Sequence, residues 1–434
     1  MKLKFVAAIA ALGLGPIASS YANQAYATEI LTRDEAIARA IAAAPMLAAS
    51  RETIAASRAG ARQANIKPNP QLSAEFENFT GTGPFTGLGR SEVTFFYSQR
   101  LERGGKRRYR TKLADEEGRI SVARWHINRL DIIWEAEQAY ILALGAKAEL
   151  KNLEKQARIV AEIERTIRVR VERGKDSKLA VQNARIRSLN AERRVTEAGQ
   201  ILAAAKLALA SLWRKSGTDF RLDTSRLFDL PNFLQPADRE QFLDGPDLQF
   251  WKLKQARTAA NLTLEKARAV QDPTFTVGVR YLQNSSDVAA VAGVSIPFAL
   301  HDTNKGNISK AKAQLNRSRF EFLEAERRLE RRLVLQQKIL TSSFAQVGQI
   351  REGLAETEKT KRLVLEQLEQ GAVSYLDVFA VQTLAADFER QLIAELKRFQ
   401  LAKAEIDRLT ARRDVETVTA DDGENNAYND SEGQ

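Results

Sequence analysis

Two long stretches without proline constrain this sequence more than any other feature. Lys106 to Arg173 and Asn307 to Gln370 each contain only two glycines. Apolar residues recur along both at steps of three, four or seven, which places them in one narrow stripe on a helix. In the second stretch the stripe consists of Leu315, Phe322, Leu329, Leu333, Leu340, Phe344, Val347 and Leu354. At about 1.5 Å per residue, each stretch predicts a single helix about 100 Å long.

The other faces of these helices are polar and carry mainly Lys, Arg, Glu and Gln. Such a helix is about three times longer than the ~30 Å hydrocarbon core of a bilayer, and it is too polar to lie in lipid. A narrow apolar stripe needs a neighbouring helix along its whole length. Taken alone, the two stretches are equally typical of a cytoplasmic coiled-coil rod, and the remaining sequence argues against that interpretation.

The two ends of the chain differ from the rest in composition. Two lysines precede a short apolar run, and residues 25–27 read Ala-Tyr-Ala, a small-residue cleavage pattern. We therefore expect residues 1–27 to be a signal peptide and the protein to be exported. The alternative is a frayed N-terminal helix. Residues 416–434 are rich in acids and poor in large aliphatic residues, which predicts a disordered acidic tail.

Charge and cysteine content exclude some classes of partner. The chain has 66 Lys and Arg against 55 Asp and Glu, a formal charge of +11, and no cysteine. A basic excess can indicate nucleic-acid binding. Here the bases are interleaved with Glu along the helices, as in residues 324–332, which is typical of a solvated helical face. We expect no nucleic-acid partner and no lipid-modified cysteine.

The chain repeats itself once. A helix, a strand pair, a long helix and a returning helix occupy residues 28–216. The same order recurs in residues 236–415, after a linker at residues 217–235. Pro70 and Pro273 end the first helix of each copy. The sequence therefore predicts two tandem repeats in a fold that is mainly α with a small β part.

The first helix of each copy is rich in alanine. In the first copy, Thr32 to Glu35 fit a helix capping box, and we expect the helix to run to about Ala64. In the second copy, we expect the corresponding helix from Pro236 to Gln271. Small side chains suit close packing against the long helices.

Four segments alternate apolar and polar residues with a period of two. They lie near residues 71–79, 93–100, 274–281 and 288–298. Their length of about nine or ten residues is that of strands in membrane barrels. Because the smallest such barrels have about eight strands, four strands on an exported chain predict a barrel shared between subunits. The alternative is two ordinary hairpins packed on the helices.

Each copy reverses direction at a glycine that is followed by serine and leucine at the same spacing. The two sets are Gly174, Ser177 and Leu179, and Gly371, Ser374 and Leu376. Glycine can end a helix in the left-handed conformation, and serine can cap the next helix. A plain helical-hairpin turn has the same chemistry, so the pattern alone leaves the role of these turns open.

No enzyme motif stands out in the sequence. His126 and His301 are the only histidines, and neither has a second His or Cys at ligand spacing. No catalytic triad or phosphate-binding loop is present in the sequence. We expect no catalytic residues, no metal site and no cofactor.

Four short motifs occur in order along the chain. They are Leu101-Glu102-Arg103-Gly104-Gly105-Lys106-Arg107; Gly174 followed by Val181-Gln182-Asn183-Ala184-Arg185; Val294-Ser295-Ile296-Pro297-Phe298 followed by Asp302-x-Asn304-x-Gly306-Asn307; and Gly371-x-x-Ser374-Tyr375-Leu376-Asp377-Val378. The first and third resemble the strand-to-helix junctions of TolC-like outer-membrane efflux channels, and most closely those of the heavy-metal, CzcC-type branch. The second and fourth are similar to the helical turns of that family. The resemblance covers about Thr32 to Arg412.

The resemblance implies a homotrimer. Three chains would give four strands each to one twelve-stranded outer-membrane β-barrel, continued by a periplasmic α-helical barrel. The protein would be a passive exit duct without catalysis or cofactor. Its partners would be outer-membrane lipid, a periplasmic adaptor protein and an inner-membrane efflux pump of the RND type, and its substrates heavy-metal cations. The alternative function is a non-channel coiled-coil scaffold of the cell envelope, which would have no use for the strands.

The resemblance also implies roles for individual residues. The six turn residues would form the periplasmic tip and contact the adaptor, with the leucines packed between neighbouring hairpins. The strand-to-helix junctions would depend on Gly104, Gly105, Pro297 and Gly306.

The expected pore gate is Asp377, which matches the first of two gate aspartates in the family prototype. Three such carboxylates around a trimer axis would attract cations. The second aspartate falls on Ala380, and the prototype's closing network falls on Ala180, Leu368 and Val373, so the gate must be held differently. The alternative role of Asp377 is a helix-capping acid favoured by the macrodipole.

Overall fold

The computed structural model describes residues 30–174, 176–214, 217–234, 239–370 and 372–412. The expected signal peptide, the expected acidic tail and Gly371 lie outside the described residues. The described chain is mainly α-helical with two small sheets. Its elements in order are β1 (Ile30–Leu31), α1 (Arg33–Ala43), α2 (Pro45–Ala64), β2 (Gln71–Glu77), β3 (Glu92–Arg100), α3 (Lys106–Glu172), α4 (Lys178–Ser211), β4 (Arg221–Leu222), α5 (Arg239–Asp244), α6 (Pro246–Arg268), β5 (Thr274–Leu282), β6 (Asp287–Ser295), α7 (Lys305–Glu369) and α8 (Tyr375–Leu409).

The two proline-free stretches form the longest described helices. α3 contains 67 residues and α7 contains 65, so each is about 100 Å long at ~1.5 Å per residue. The predicted bounds are correct to within two residues at every end. Within the described chain, no helix combines the length and the apolar character needed to cross a membrane.

The first helix of each copy is broken where the sequence predicts a single helix. After Thr32 the chain forms α1 and then α2, because Pro45 has no N–H to continue α1 and starts a new helix instead. The capping box is present, with the Glu35 N–H donating to Thr32 Oγ1 at 3.3 Å. In the second copy, Gly245 and Pro246 separate α5 from α6. The prediction of uninterrupted helices was wrong at both places.

The four long strands form one antiparallel sheet in the order β2-β3-β5-β6. The predicted strand bounds differ from the observed ones by at most three residues. The hairpins of the two copies meet between β3 and β5, where Thr94 pairs with Arg280 and Phe95 with Val279. β1 and β4 form a separate parallel pair that was not expected, because strands of two residues carry no periodic signal.

The four-stranded sheet has one apolar face and one polar face, since paired residues of an antiparallel sheet project to the same side. The apolar face is solvent-exposed in the single chain. Its large exposed members are Leu72, Phe76, Phe95, Tyr97, Phe275, Val277, Val279, Tyr281, Val288 and Val294. The opposite face is mainly polar and carries Ser73, Glu75, Glu77, Glu92, Thr94, Ser98, Thr276 and Arg280, together with the apolar Phe96, Leu282 and Val291.

The core is distributed along the helices. α4 packs on α3, α8 packs on α7, and α3 joins the two copies through α6 and α8. One cluster surrounds Tyr140 and Leu209 in the first copy. Another contains Leu329 and Leu333, two members of the predicted stripe of α7. The stripe is buried there by α5, α6 and α8, which supply the neighbours that its narrowness requires.

Candidate functional site

The first helical turn is built as the sequence indicates. Gly174 has φ +73°, the left-handed conformation that glycine adopts without strain. The Ser177 hydroxyl accepts the Ala180 N–H at 3.3 Å and so caps α4. Arg170 of α3 contacts the Asp176 carboxylate at 2.6 Å across the turn. Leu179, on the first turn of α4, is 68% exposed.

The second turn carries the expected gate residue. The Asp377 carboxylate accepts both the Ser374 hydroxyl and the Ser374 N–H, each at 2.8 Å. These hydrogen bonds, the hydroxyl first, hold the pKa of Asp377 below its ordinary value. The side chain is exposed. Asp377 therefore caps its own helix, as the structural alternative predicts, while presenting its charge to solvent.

The residues flanking the two turns lie together. Ile167 and Ala184 of the first copy share one buried cluster with Phe379 of the second. The Arg170 guanidinium lies over the Tyr375 ring, 5.3 Å from its centroid, and is the same group that contacts Asp176. Arg170 was not among the predicted site residues, and Tyr375 was identified only as part of the fourth motif. An arginine on a long charged helix gives no signal of its own, because its partner lies about 200 residues away.

Both glycines of the first strand-to-helix junction adopt the left-handed conformation. Gly104 and Gly105 have φ of +68° and +72°. A Cβ on Gly104 would lie 2.9 Å from Val270 Cγ2. Asp272 accepts the Arg103 N–H at 2.9 Å and contacts Lys106 Nζ at 2.7 Å. These contacts fix the start of α3 against the end of α6 in the other copy.

The second junction uses a residue of the third motif that was not among those on which the junction was expected to depend. Asn304, with φ +59°, is the left-handed residue that precedes α7. Its amide donates to the Glu265 carbonyl oxygen at 2.7 Å and to Glu265 Oε2 at 3.0 Å. Gly306 lies inside α7, and nothing lies within 4 Å of a Cβ placed on it. Pro297 follows the end of β6. Asparagine tolerates the left-handed conformation, which is the signal that could have identified Asn304.

Charged side chains are buried where the copies meet. Arg408 of α8 is 8% exposed and contacts Asp131 of α3 and Asp247 of α6. Glu137 of α3 is 1% exposed, and burial raises its pKa to about 7 although Arg33 lies 3.6 Å away. Among the described residues, no group of three His, Asp or Glu side chains is arranged to hold a metal ion.

Comparison with known proteins identifies the family. The sequence model of the family described as outer membrane efflux protein matches residues 36–213, the first copy. The cobalt-zinc-cadmium resistance protein CzcC of Cupriavidus metallidurans is 26% identical over 384 residues, which cover 88% of this chain and 90% of that protein. The first copy of the chain matches this family, and the similarity to CzcC extends into the second copy. This confirms the resemblance that the four motifs carry.

Two solved structures share the fold of this outer membrane efflux protein. The outer membrane protein VceC of Vibrio cholerae has a TM-score of 0.71 at 16% identity, covering 87% of this chain and 95% of that one. CusC, solved in a study of folding and transmembrane channel formation, has a TM-score of 0.71 at 18% identity, covering 90% of this chain and 95% of that one. At these identities the likeness shows the fold, which is TolC-like.

The family match of the first copy and the similarity to CzcC over most of the chain together indicate the broad function. The protein is a non-enzymatic outer-membrane efflux channel with a helical domain in the periplasm. The alternative of a non-channel coiled-coil scaffold is therefore wrong.

Proposed function

We propose that this channel is the outer-membrane part of a tripartite heavy-metal efflux system, and that it works as a homotrimer. Three chains contribute four strands each to a twelve-stranded barrel, and their helices continue it as a periplasmic tunnel. The channel is passive, and an inner-membrane pump of the RND type delivers the cations through a periplasmic adaptor.

The four-stranded sheet carries the trimer proposal. One face of the sheet is apolar and exposed, and the other face is mainly polar. Strands of a membrane barrel have this pattern, because one face contacts lipid and the other faces a water-filled lumen. Strands of nine residues span about 30 Å at ~3.3 Å per residue, which matches the hydrocarbon core. Within the described chain, β2 and β6 each pair on one side only. Barrel closure then requires β6 of one chain to pair with β2 of the next.

The proposed substrate class comes from the similarity to a metal-resistance protein. CzcC is a cobalt-zinc-cadmium resistance protein and matches this chain over nearly its whole length. We infer divalent metal cations as the substrate class from that likeness. The exposed carboxylate of Asp377 supports a cation path, because three of them around the axis would form a negative ring at the inner end.

The six turn residues are the proposed contact with the adaptor. Leu179 is 68% exposed and Leu376 is 62% exposed. By contrast, the apolar residues of the adjoining helices, such as Ile167 and Phe379, are buried in one cluster. Exposed leucines at equivalent positions in both copies suit grooves between neighbouring hairpins. Gly174, Ser177 and Ser374 shape these turns. Gly371 is included in the proposed contact because its position in the second set of turn residues is equivalent to that of Gly174.

Cysteine cross-linking tests the shared barrel, because the chain has no cysteine of its own. Leu72→Cys in β2 is combined in turn with Ala290→Cys, Ala292→Cys or Val294→Cys in β6. One register should bring the Cα atoms within about 7 Å and give covalent trimers on a non-reducing gel. Ala74→Cys with Phe95→Cys, which pair within one chain, is the control and should give monomers. If none of the three β2–β6 cysteine pairs gives covalent trimers, while the control pair forms its disulfide, the proposal is contradicted.

A second experiment tests the substrate class. The gene is expressed in cells that lack their own channel but keep a metal-exporting pump and its adaptor. Restored resistance to cobalt, zinc or cadmium supports the metal proposal. Restored resistance to organic compounds alone would contradict it while leaving the channel assignment intact.

A further inference from the structure

The polar face of the four-stranded sheet contains one arginine near its outer end, and it has three partners. Arg280 of β5 contacts Glu77 Oε2 and Glu92 Oε2, each at 2.9 Å. Its Nε donates to Thr94 Oγ1 at 3.0 Å. Glu77 is on β2 and the other two partners are on β3, so one guanidinium ties the second hairpin to both strands of the first.

The strand register places these groups in two rows across the sheet. The outermost row pairs Glu77 with Glu92, then Leu282 and Asp287. The next row contains Glu75, Thr94, Arg280 and Ala289. Both rows lie at the end of the sheet away from the helices, because β2 leads out from α2 and β3 leads back to α3.

The charges of these two rows are unbalanced. Among the eight paired positions, four are carboxylates and Arg280 is the only cation. The Arg280 side chain is 29% exposed, between Glu77 at 38% and Glu92 at 21%. Thr94, which lies beneath it, is fully buried. Arg280 therefore has a fixed position, and it holds two carboxylates that would otherwise be free to project from the polar face.

We infer that Arg280 is a selectivity-determining residue of the channel, which sets the net charge and the free carboxylates of its outer mouth. This inference rests on the proposed function, because the polar face lines a lumen only in the shared barrel. In a trimer, three copies of Arg280 offset part of a ring of twelve carboxylates. The arginine limits cation preference at this ring and prevents permeating cations from being held too tightly to leave.

The test compares the reversal potential of purified channels in planar bilayers under a salt gradient. Arg280→Gln removes three positive charges per trimer and releases Glu77 and Glu92, so the ratio of cation to anion permeability should rise by about twofold or more. Arg280→Lys keeps the charge but loses the forked geometry, so its selectivity should stay near that of the unmodified protein. The double variant Arg280→Gln, Glu77→Gln restores the net charge and should return the ratio toward its original value.

The outcomes separate this inference from the proposed function. If the unmodified protein forms no ion-conducting pore, the shared barrel is wrong. If pores form but Arg280→Gln and Arg280→Lys share the unmodified selectivity, Arg280 has only a structural role. If Arg280→Gln does not assemble, the single variant Glu77→Gln decides. It removes three negative charges per trimer from the same ring and keeps Arg280, so the ratio of cation to anion permeability should fall. Unchanged selectivity in Glu77→Gln would overturn the inference.

Discussion

Arg408 donates to Asp131 Oδ1 at 2.7 Å, which joins the returning helix of the second copy to the long helix of the first. The same guanidinium also contacts Asp247 at the start of α6. One side chain therefore connects three helices, and it is almost fully buried while doing so. This cluster is a buried electrostatic link between the two copies.

Replacing Arg408 by alanine should destabilise the helical domain. The change leaves two carboxylates facing each other without their cation, and loss of one partner from a buried ion pair costs about 3–5 kcal/mol. Because Asp131 is half exposed, we expect the lower end of that range. Arg331→Ala, in an exposed pair with Glu324, is the matched control and should cost less than about 1 kcal/mol. Thermal unfolding followed by circular dichroism compares the two, and equal shifts would contradict the assignment.

Glu137 should make stability fall as pH rises. Burial raises its folded pKa from the ordinary 4.5 to about 7, so the folded state binds more protons than the unfolded state between these values. Stability contributed by the protonated form is complete below about pH 4.5 and is lost as pH rises to about 7. Glu137→Gln should remove a pH dependence on the order of 3 kcal/mol. Chemical denaturation at about pH 5 and about pH 8 measures the free energy of unfolding of both proteins. If the difference between the two pH values is the same with and without the substitution, the role assigned to the burial of Glu137 is wrong.

Gly104 and Gly306 should respond in opposite ways to alanine. Gly104→Ala places a Cβ 2.9 Å from Val270 on a left-handed backbone, so it should lower the yield of folded protein in the outer membrane. Gly306→Ala lies in an open position inside α7 and should be neutral or stabilise by up to about 1 kcal/mol. Membrane fractionation and thermal unfolding compare the pair. If Gly306→Ala lowers the yield or the stability while Gly104→Ala does not, the described structure of the two junctions is contradicted.

Asp377→Asn should lower cation selectivity without loss of assembly. The amide can still accept the Ser374 N–H, so the helix cap is largely kept while the charge is removed. Because the hydrogen bonds from Ser374 depress the pKa, the selectivity of the unmodified channel should persist as pH falls to the ordinary aspartate range. Reversal potentials in planar bilayers test both statements. Unaltered selectivity in the Asn variant would leave Asp377 as a helix-capping acid alone.

Much of the fold follows from periodicity in the sequence. The stripes of α3 and α7 and the alternation in β2, β3, β5 and β6 are local patterns, and they place these elements to within a few residues. The breaks at Pro45 and Pro246 show how a local rule can override an alanine-rich run. The β1–β4 pair could not be predicted, because strands of two residues carry no periodic signal and helices α1 to α4 separate them in the sequence.

The residues of the candidate sites were harder to predict from the sequence than the fold. Turn chemistry identified Gly174 and Ser177, since both act within their own turn. Arg170, Arg280 and Arg408 act on partners from distant segments. In a chain with 66 Lys and Arg, nothing local distinguishes these three from the solvated majority.

In the proposed barrel, the apolar face of β5 meets lipid and the opposite face meets water. Val279 lies on the apolar face and is 54% exposed, while Thr276 lies on the polar face of the same strand. Val279→Arg should cost about 2–4 kcal/mol near the bilayer midplane, whereas Thr276→Arg should be tolerated in a water-filled lumen. The measurement is the amount of each variant that inserts into the outer membrane. We predict strong loss for Val279→Arg and near-normal insertion for Thr276→Arg, and equal insertion of the two would contradict the barrel.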